Sequence, residues 1–281
     1  MVENRTLELS EGRSLHAFIK GEGPDVLLLH GMLETSHDWL VWMLDGLVQA
    51  GCRVIVVDRP GHGLSRRRRF DGTPRAQAEQ IREALDLLGI ERPIILSHSF
   101  GGLVSLAYAE KFPEAVSALV MIAPVAFPEP RLLEHTLLAP RSVPFFGPIF
   151  STAAGATIDR PMLKLVHKLM FSPQGVPAYW EESFPYDQLL DPHAMVFQGE
   201  DAAAILPMSP AGMIDVPRIQ TPAHILTGTS DKIVEDERQA KLLARLMPNA
   251  NLTKVEGVGH MLHHVRPDLV LEAVKEALTL S

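Results

Sequence analysis

The chain is short of thiols, of aromatic rings and of positive charge. Cys52 is the single cysteine among 281 residues, so no intrachain disulfide can form. This excludes a small scaffold held together by disulfides. No apolar run reaches the roughly 18 residues that a membrane-spanning helix requires, so no stable membrane insertion is expected. Residues Met1–Arg5 carry no apolar segment of the secretory kind, and together with the lone thiol this makes a cytoplasmic location the expectation. Lysine and arginine number 26 against 34 aspartates and glutamates, and the net charge of −8 argues against nucleic acid as a partner. No internal repeat or low-complexity segment is present.

What the chain does have is a globular balance, 46% hydrophobic and 21% charged, with enough length to bury a full core. Apolar strands alternate with amphipathic helices. Thr6–Leu9 and Ser14–Lys20 read as an N-terminal hairpin. Asp25–Leu29, Arg53–Val57, Pro93–Ser97, Ala115–Ile122, His224–Thr227 and Asn251–Glu256 read as strands. Pro74–Leu88 reads as a helix that opens on proline, and a final helix begins near Pro267. Such alternation predicts an α/β fold, with a mostly parallel sheet between helices and ligands at the carboxyl ends of its strands.

The most informative stretch is Ser97-His98-Ser99-Phe100-Gly101-Gly102. It follows an apolar strand and precedes an amphipathic run from Leu103 to Lys111, so it reads as strand, sharp turn, helix. A turn that tight tolerates only small flanking residues, here Ser97, Gly101 and Gly102. The serine at its apex is an exposed nucleophile in need of a base. Two loops at the same end of the sheet offer partners. Asp231 follows the strand His224–Thr227, and His260 follows Gly257-Val258-Gly259 after the strand Asn251–Glu256. A third loop, His30-Gly31-Met32, follows Asp25–Leu29.

Taken in order, these elements resemble the α/β-hydrolase superfamily over roughly 25–125 and 221–278, with Ser97 where the usual elbow has glycine. Asp58-Arg59-Pro60-Gly61-His62-Gly63-Leu64-Ser65 resembles the loop that follows the next strand in that family, and Trp39 matches an aromatic of its first helix. The resemblance implies a triad of Ser99 as nucleophile, His260 as general base and acid, and Asp231 as its orienting carboxylate. It also implies an oxyanion hole made by the backbone N–H groups of Met32 and Phe100. No cofactor and no metal is implied. The implied activity is that of a carboxylesterase acting on small to medium apolar esters. Lactonase, perhydrolase and C–C bond hydrolase activities use the same parts, and a non-catalytic ligand-binding protein would keep only the fold. Dehalogenases and epoxide hydrolases of this superfamily carry aspartate where Ser99 stands.

Between about Pro124 and Pro217 the strand–helix rhythm stops. The expected organisation is a hydrolase core over 1–125 and 218–281, with a helical cap over 126–217. The cap's expected helical pieces are Pro130–Leu138, Pro161–Phe171 and Pro177–Glu182. Its apolar residues, Phe127, Phe145, Phe146, Phe150, Met162, Met170, Phe171, Trp180, Met195 and Phe197, are candidates for a water-excluding pocket wall or for the cap's own core. Four groups have ordinary readings. His263 and His264 next to His260 form a weak metal pattern, without cysteine or carboxylate nearby in sequence. His30 reads as bonding its own loop, and His98 as packing beside the nucleophile. Arg66–Arg69 reads as a solvated loop in an acidic protein.

Overall fold

The computed structural model describes residues 2–131, 134–206 and 212–280. Eight strands form one sheet in the order β1-β2-β4-β3-β5-β6-β7-β8. They are β1 Glu3–Glu8, β2 Ser14–Lys20, β3 Asp25–Leu29, β4 Arg53–Val57, β5 Ile94–His98, β6 Ala118–Ile122, β7 Ala223–Gly228 and β8 Ala250–Val255. β1 pairs with β2 and β2 with β4 in antiparallel fashion; the remaining pairs are parallel. The expected hairpin and parallel strands are therefore present.

The helices in chain order are α1 His37–Leu40, α2 Met43–Gln49, α3 Pro74–Leu87, α4 Phe100–Lys111, α5 Phe146–Ala154 and α6 Arg160–Phe171. They continue as α7 Ala178–Ser183, α8 Tyr186–Leu189, α9 Pro192–Ala204, α10 Ala240–Leu246, α11 Leu262–Val265 and α12 Pro267–Leu278. Among the described residues no helix is long and apolar enough to cross a membrane.

The central strands are apolar on both faces because helices cover both. Along β3, Leu27 and Leu29 join the core under α3 and α4, while Val26 and Leu28 join the core under α2 and α12. α3 starts where Thr73 accepts the Ala76 N–H at 3.2 Å and Pro74 occupies the first turn.

The chain leaves the sheet after β6 and returns at β7, and the intervening helices have their own apolar core of Leu138, Leu163, Met170, Phe171, Trp180, Leu189 and Met195. α5 and α6 are joined by a wide helical turn over Gly155–Asp159. Of the expected pieces, the second and third correspond to α6 and α7. The first includes residues 132–133, which lie outside the described residues; Glu134–Leu138 within it is a wide helical turn. α5, α8 and α9 were not anticipated. α9 carries buried Gln198, Glu200 and Asp201, and so hides its inward face behind polar side chains.

Candidate active site

β5 delivers Ser99 to the carboxyl edge of the sheet, and α4 begins at the next residue. Ser99 has φ 50° and ψ −119°, a conformation that non-glycine residues seldom adopt. It is held there by Ser99 N–H donating to Ile122 O at 3.0 Å and by Ser99 O accepting from Gly102 and Val125 at 2.9 Å each. The over-determined turn carries the strain. Close approach explains two glycines. A Cβ on Gly101 would lie 2.6 Å from Leu29 O, and one on Gly31 would lie 2.9 Å from the Ser99 Cβ. Ser97, in place of the usual glycine, fits because its hydroxyl meets Ser105 Oγ at 3.1 Å.

Asp231 and His260 meet directly. His260 Nδ1 lies 2.7 Å from Asp231 Oδ2. The other carboxylate oxygen, Oδ1, accepts the N–H groups of Ile233 at 2.7 Å and Val234 at 3.0 Å. Burial works against the Asp231 charge, but His260 and the two amides outweigh it and hold the carboxyl below its ordinary range. With Nδ1 on the carboxylate, His260 Nε2 is left buried and without a partner among the described residues. Ser99 and His260 line the same cavity, though no hydrogen bond joins Ser99 Oγ to the imidazole among the described residues.

That cavity has a volume of about 440 Å³. Met32, Leu33, Val125, Val166, Leu169, Met170, Ile233 and Val234 give it an apolar lining, and Glu129, Arg131, Glu134, Lys232, Glu235 and Arg238 are its charged contributors. Met32 therefore stands with Ser99 on the cavity, and Phe100 is fully buried at the start of α4.

Only Met170 of the apolar residues expected in the cap's wall or core lines this cavity. Phe171, Trp180 and Met195 fill the cap core instead, and Met162 packs against it. Phe127 packs against the sheet's core, and Phe197 lies beneath the Arg67 guanidinium at 4.5 Å. Phe145 and Phe146 are 87% and 51% exposed, and Phe150 stacks on Phe146. The wall comes from α6, from the segment after β6 and from the loops after β3 and β7, and Phe146 of α5 faces outward.

A histidine-rich network lies behind His260. Glu34 Oε2 accepts the Gly31 N–H at 2.6 Å and lies 3.0 Å from His98 Nδ1. His98 Nε2 reaches the His260 carbonyl at 3.2 Å, and the two rings lie 4.6 Å apart. Burial pulls the His98 pKa down, but Glu34, aided by Asp38, prevails and raises it to about 9. Asp38 Oδ1 accepts from His263 at 2.9 Å and His264 at 2.8 Å. Burial presses His263 down to about 3 in spite of Asp38. Asp38, His263 and His264, and likewise Glu34, Asp38 and His98, have donor atoms close enough to share a cation. Their N···O contacts of 2.8–3.0 Å are hydrogen-bond lengths, so the rings already serve the carboxylates. Sequence reading did not single out Glu34 and Asp38. Their signal is two carboxylates four residues apart, directly behind His30-Gly31.

A second network lies behind the His30-Gly31-Met32 loop. Arg59, fully buried, pairs with Asp201 of α9 at 2.8 Å. His62 also meets Asp201, at 2.9 Å, and burial pulls its pKa down to about 4 against that carboxylate. Gln198 of α9 accepts the Leu33 N–H at 3.0 Å and reaches His62 Nδ1 at 3.1 Å. The arginine run is a solvated loop only in part. Arg66 and Arg68 are exposed, but Arg67 is buried and Arg69 half-buried, and these two guanidinium groups bind Glu200 and so tie α9 to the loop after β4.

A family model described as the alpha/beta hydrolase fold matches residues 24–267. The chain is similar to the magnesium-chelatase 30 kDa subunit of Rhodobacter capsulatus, with 30% identity over 258 residues covering 88% of this chain and 84% of that protein. Among solved structures it is similar to an epoxide hydrolase, with TM-score 0.81, 18% identity and 99% of each chain covered. An esterase from Exiguobacterium antarcticum aligns with TM-score 0.78 and 20% identity, over 98% of this chain and 99% of that one. At these identities the structural likeness speaks to fold.

Proposed function

We propose that this chain, which belongs to the alpha/beta hydrolase family, is a serine hydrolase that cleaves carboxylic esters of small to medium apolar substrates. The observation that carries the reading is His260, bound through Nδ1 to Asp231 at 2.7 Å, with its buried Nε2 unpartnered on the cavity it shares with Ser99. Serine and imidazole often close their hydrogen bond only when substrate is bound. The apolar lining of about 440 Å³ supports an apolar acyl or alkyl group of modest size.

In this reading Ser99 Oγ attacks the ester carbonyl while His260 Nε2 takes its proton. The carbonyl oxygen becomes an oxyanion facing the N–H groups of Met32 and Phe100. His260 then returns the proton to the departing alcohol, leaving Ser99 acylated. Water attacks the acyl carbon, His260 again relays the proton, and the acid leaves. Asp231 holds the imidazole tautomer throughout. Serine at 99 in place of aspartate favours this acyl route over a covalent alkyl ester.

The test is Ser99→Ala against a panel of p-nitrophenyl esters, with labelling by a fluorophosphonate probe. Turnover is expected to fall by a factor on the order of 10⁴–10⁶, with an unchanged circular dichroism spectrum and no probe uptake. Retained ester cleavage in the folded variant would refute the assignment.

A further inference from the structure

We propose that Arg59 is a positioning residue for one oxyanion donor: with the His30 ring it holds the Gly31–Met32 peptide so that the Met32 N–H faces the cavity of Ser99. The proposal rests on the serine-hydrolase reading and deepens it.

The argument is one of peptide geometry. The Gly31–Met32 bond is trans, so its carbonyl and its N–H point in opposite directions. Gly31 O is gripped from behind by two donors, Arg59 Nη2 at 2.9 Å and His30 Nδ1 at 2.8 Å. The tautomer follows from the network. Arg59 N–H donates to His30 Nε2 at 3.0 Å, so the ring proton sits on Nδ1 and is donated to Gly31 O. Arg59 Nε holds the preceding carbonyl, His30 O, at 2.8 Å. Two consecutive carbonyls are thus fixed by one planar guanidinium, and the N–H on the far side of the second peptide is aimed away from Arg59. Among the described residues that Met32 N–H donates to no protein acceptor, and Met32 lines the cavity with Ser99.

The same guanidinium lies 4.8 Å from the centroid of the Phe100 ring, so it also packs on the residue that supplies the other proposed donor. Its far side is anchored by Gln77 Oε1 and Asp201 Oδ2, each at 2.8 Å. Asp201 belongs to α9, so the orientation of a backbone donor in the core is referred to the cap. Two donors on a peptide oxygen also polarise its N–H, which strengthens it as a donor to developing charge. A lysine cannot reproduce this, since one ammonium lacks the fork that reaches both carbonyls and the carboxylate.

A backbone donor cannot be removed by side-chain substitution, but its aim can be. The experiment compares an oxygen ester with the matching thionoester, whose sulfur draws less on oxyanion donors, in wild type, Arg59→Lys and His30→Gln. Glutamine keeps an acceptor for Arg59 N–H and removes the donor to Gly31 O. Circular dichroism establishes folding in each. The expected result is a kcat for the oxygen ester reduced at least 30-fold with KM within threefold. The ester-to-thionoester ratio of kcat/KM is expected to fall fivefold or more. A merely structural Arg59 would lower both substrates equally, and a ratio that falls less than fivefold in the folded variants overturns the proposal. Should Arg59→Lys fail to fold, His30→Gln decides by the same ratio. Wild type that does not take a fluorophosphonate at Ser99 sinks the hydrolase reading and this inference with it. Labelled wild type with an unmoved ratio in the variants overturns this inference alone.

Discussion

Two buried polar networks flank Ser99, and they are made of different chemistry. Behind His260 stand Glu34, Asp38, His98, His263 and His264, three imidazoles and two carboxylates from the core with a proton that can come and go. Behind the His30-Gly31-Met32 loop stand Arg59, Arg67, Glu200 and Asp201, a guanidinium–carboxylate lattice across the boundary between core and cap. Guanidinium stays charged at any working pH, and the carboxyl of Asp201 is held far below its ordinary range by Arg59 against the penalty of burial. The first network responds to pH; the second responds to whether the cap is seated.

The sharpest way to separate them is Asp231→Asn. It leaves both networks standing and takes the orienting charge from His260, and kcat is expected to drop about 10⁴-fold with Tm little changed. A drop below tenfold would mean that the Asp231 charge does not orient the imidazole.

Next in size is Asp201→Ala. It leaves the buried Arg59 without its carboxylate partner, and chemical denaturation is expected to show a loss of about 3–5 kcal/mol. The loss should be nearly constant between pH 6 and 9, since neither partner titrates in that range.

The histidine side predicts the opposite behaviour. His98 is raised to about 9 in the folded state, so its contribution is complete below the unfolded value near 6.5 and is lost as pH climbs through 9. His263 is lowered to about 3 and, across in the second network, His62 beside Asp201 to about 4, so both contribute above 6.5 and their contribution fades as pH falls toward those values. Stability should therefore peak near neutrality. Glu34→Gln should flatten the alkaline side, and an unchanged alkaline slope in that variant would show that His98 does not titrate there.

The smallest effect is expected far from both networks. Phe145→Ser, at the exposed residue just before α5, should shift stability by no more than about 0.5 kcal/mol and leave kcat/KM unaltered. A larger loss of stability would place that ring in a contact the monomer does not make.

The same contrast explains what could be read in advance. The strands of the core announce themselves as apolar runs because both their faces are covered, so Asp25–Leu29 and Arg53–Val57 match β3 and β4 end to end. The placement of Ser99, Asp231 and His260 at the carboxyl ends of β5, β7 and β8 was legible because each follows a strand and its flanking residues are small or turn-forming. The stretch between β6 and β7 was less legible because α9 docks through Gln198, Glu200 and Asp201, and a buried polar face has no hydrophobic period. Arg67 and Arg69 of the arginine run escape a solvated-loop reading for the complementary reason: their partner Glu200 lies 133 and 131 positions away on α9, and nothing in the local sequence discloses it. Glu34 and Asp38 look like surface charges until Trp39 and the histidine rings are seen to enclose them.

The salt-bridged seat at Asp201 bears on how new specificities could be grafted onto this scaffold. A foreign lid spliced in between β6 and β7 brings its own pocket, but it also inherits a stranded guanidinium. Chimeras that keep an acid at the position facing Arg59 should express as folded protein; those that put alanine or leucine there should need a compensating change at Arg59 before any new substrate can be turned over.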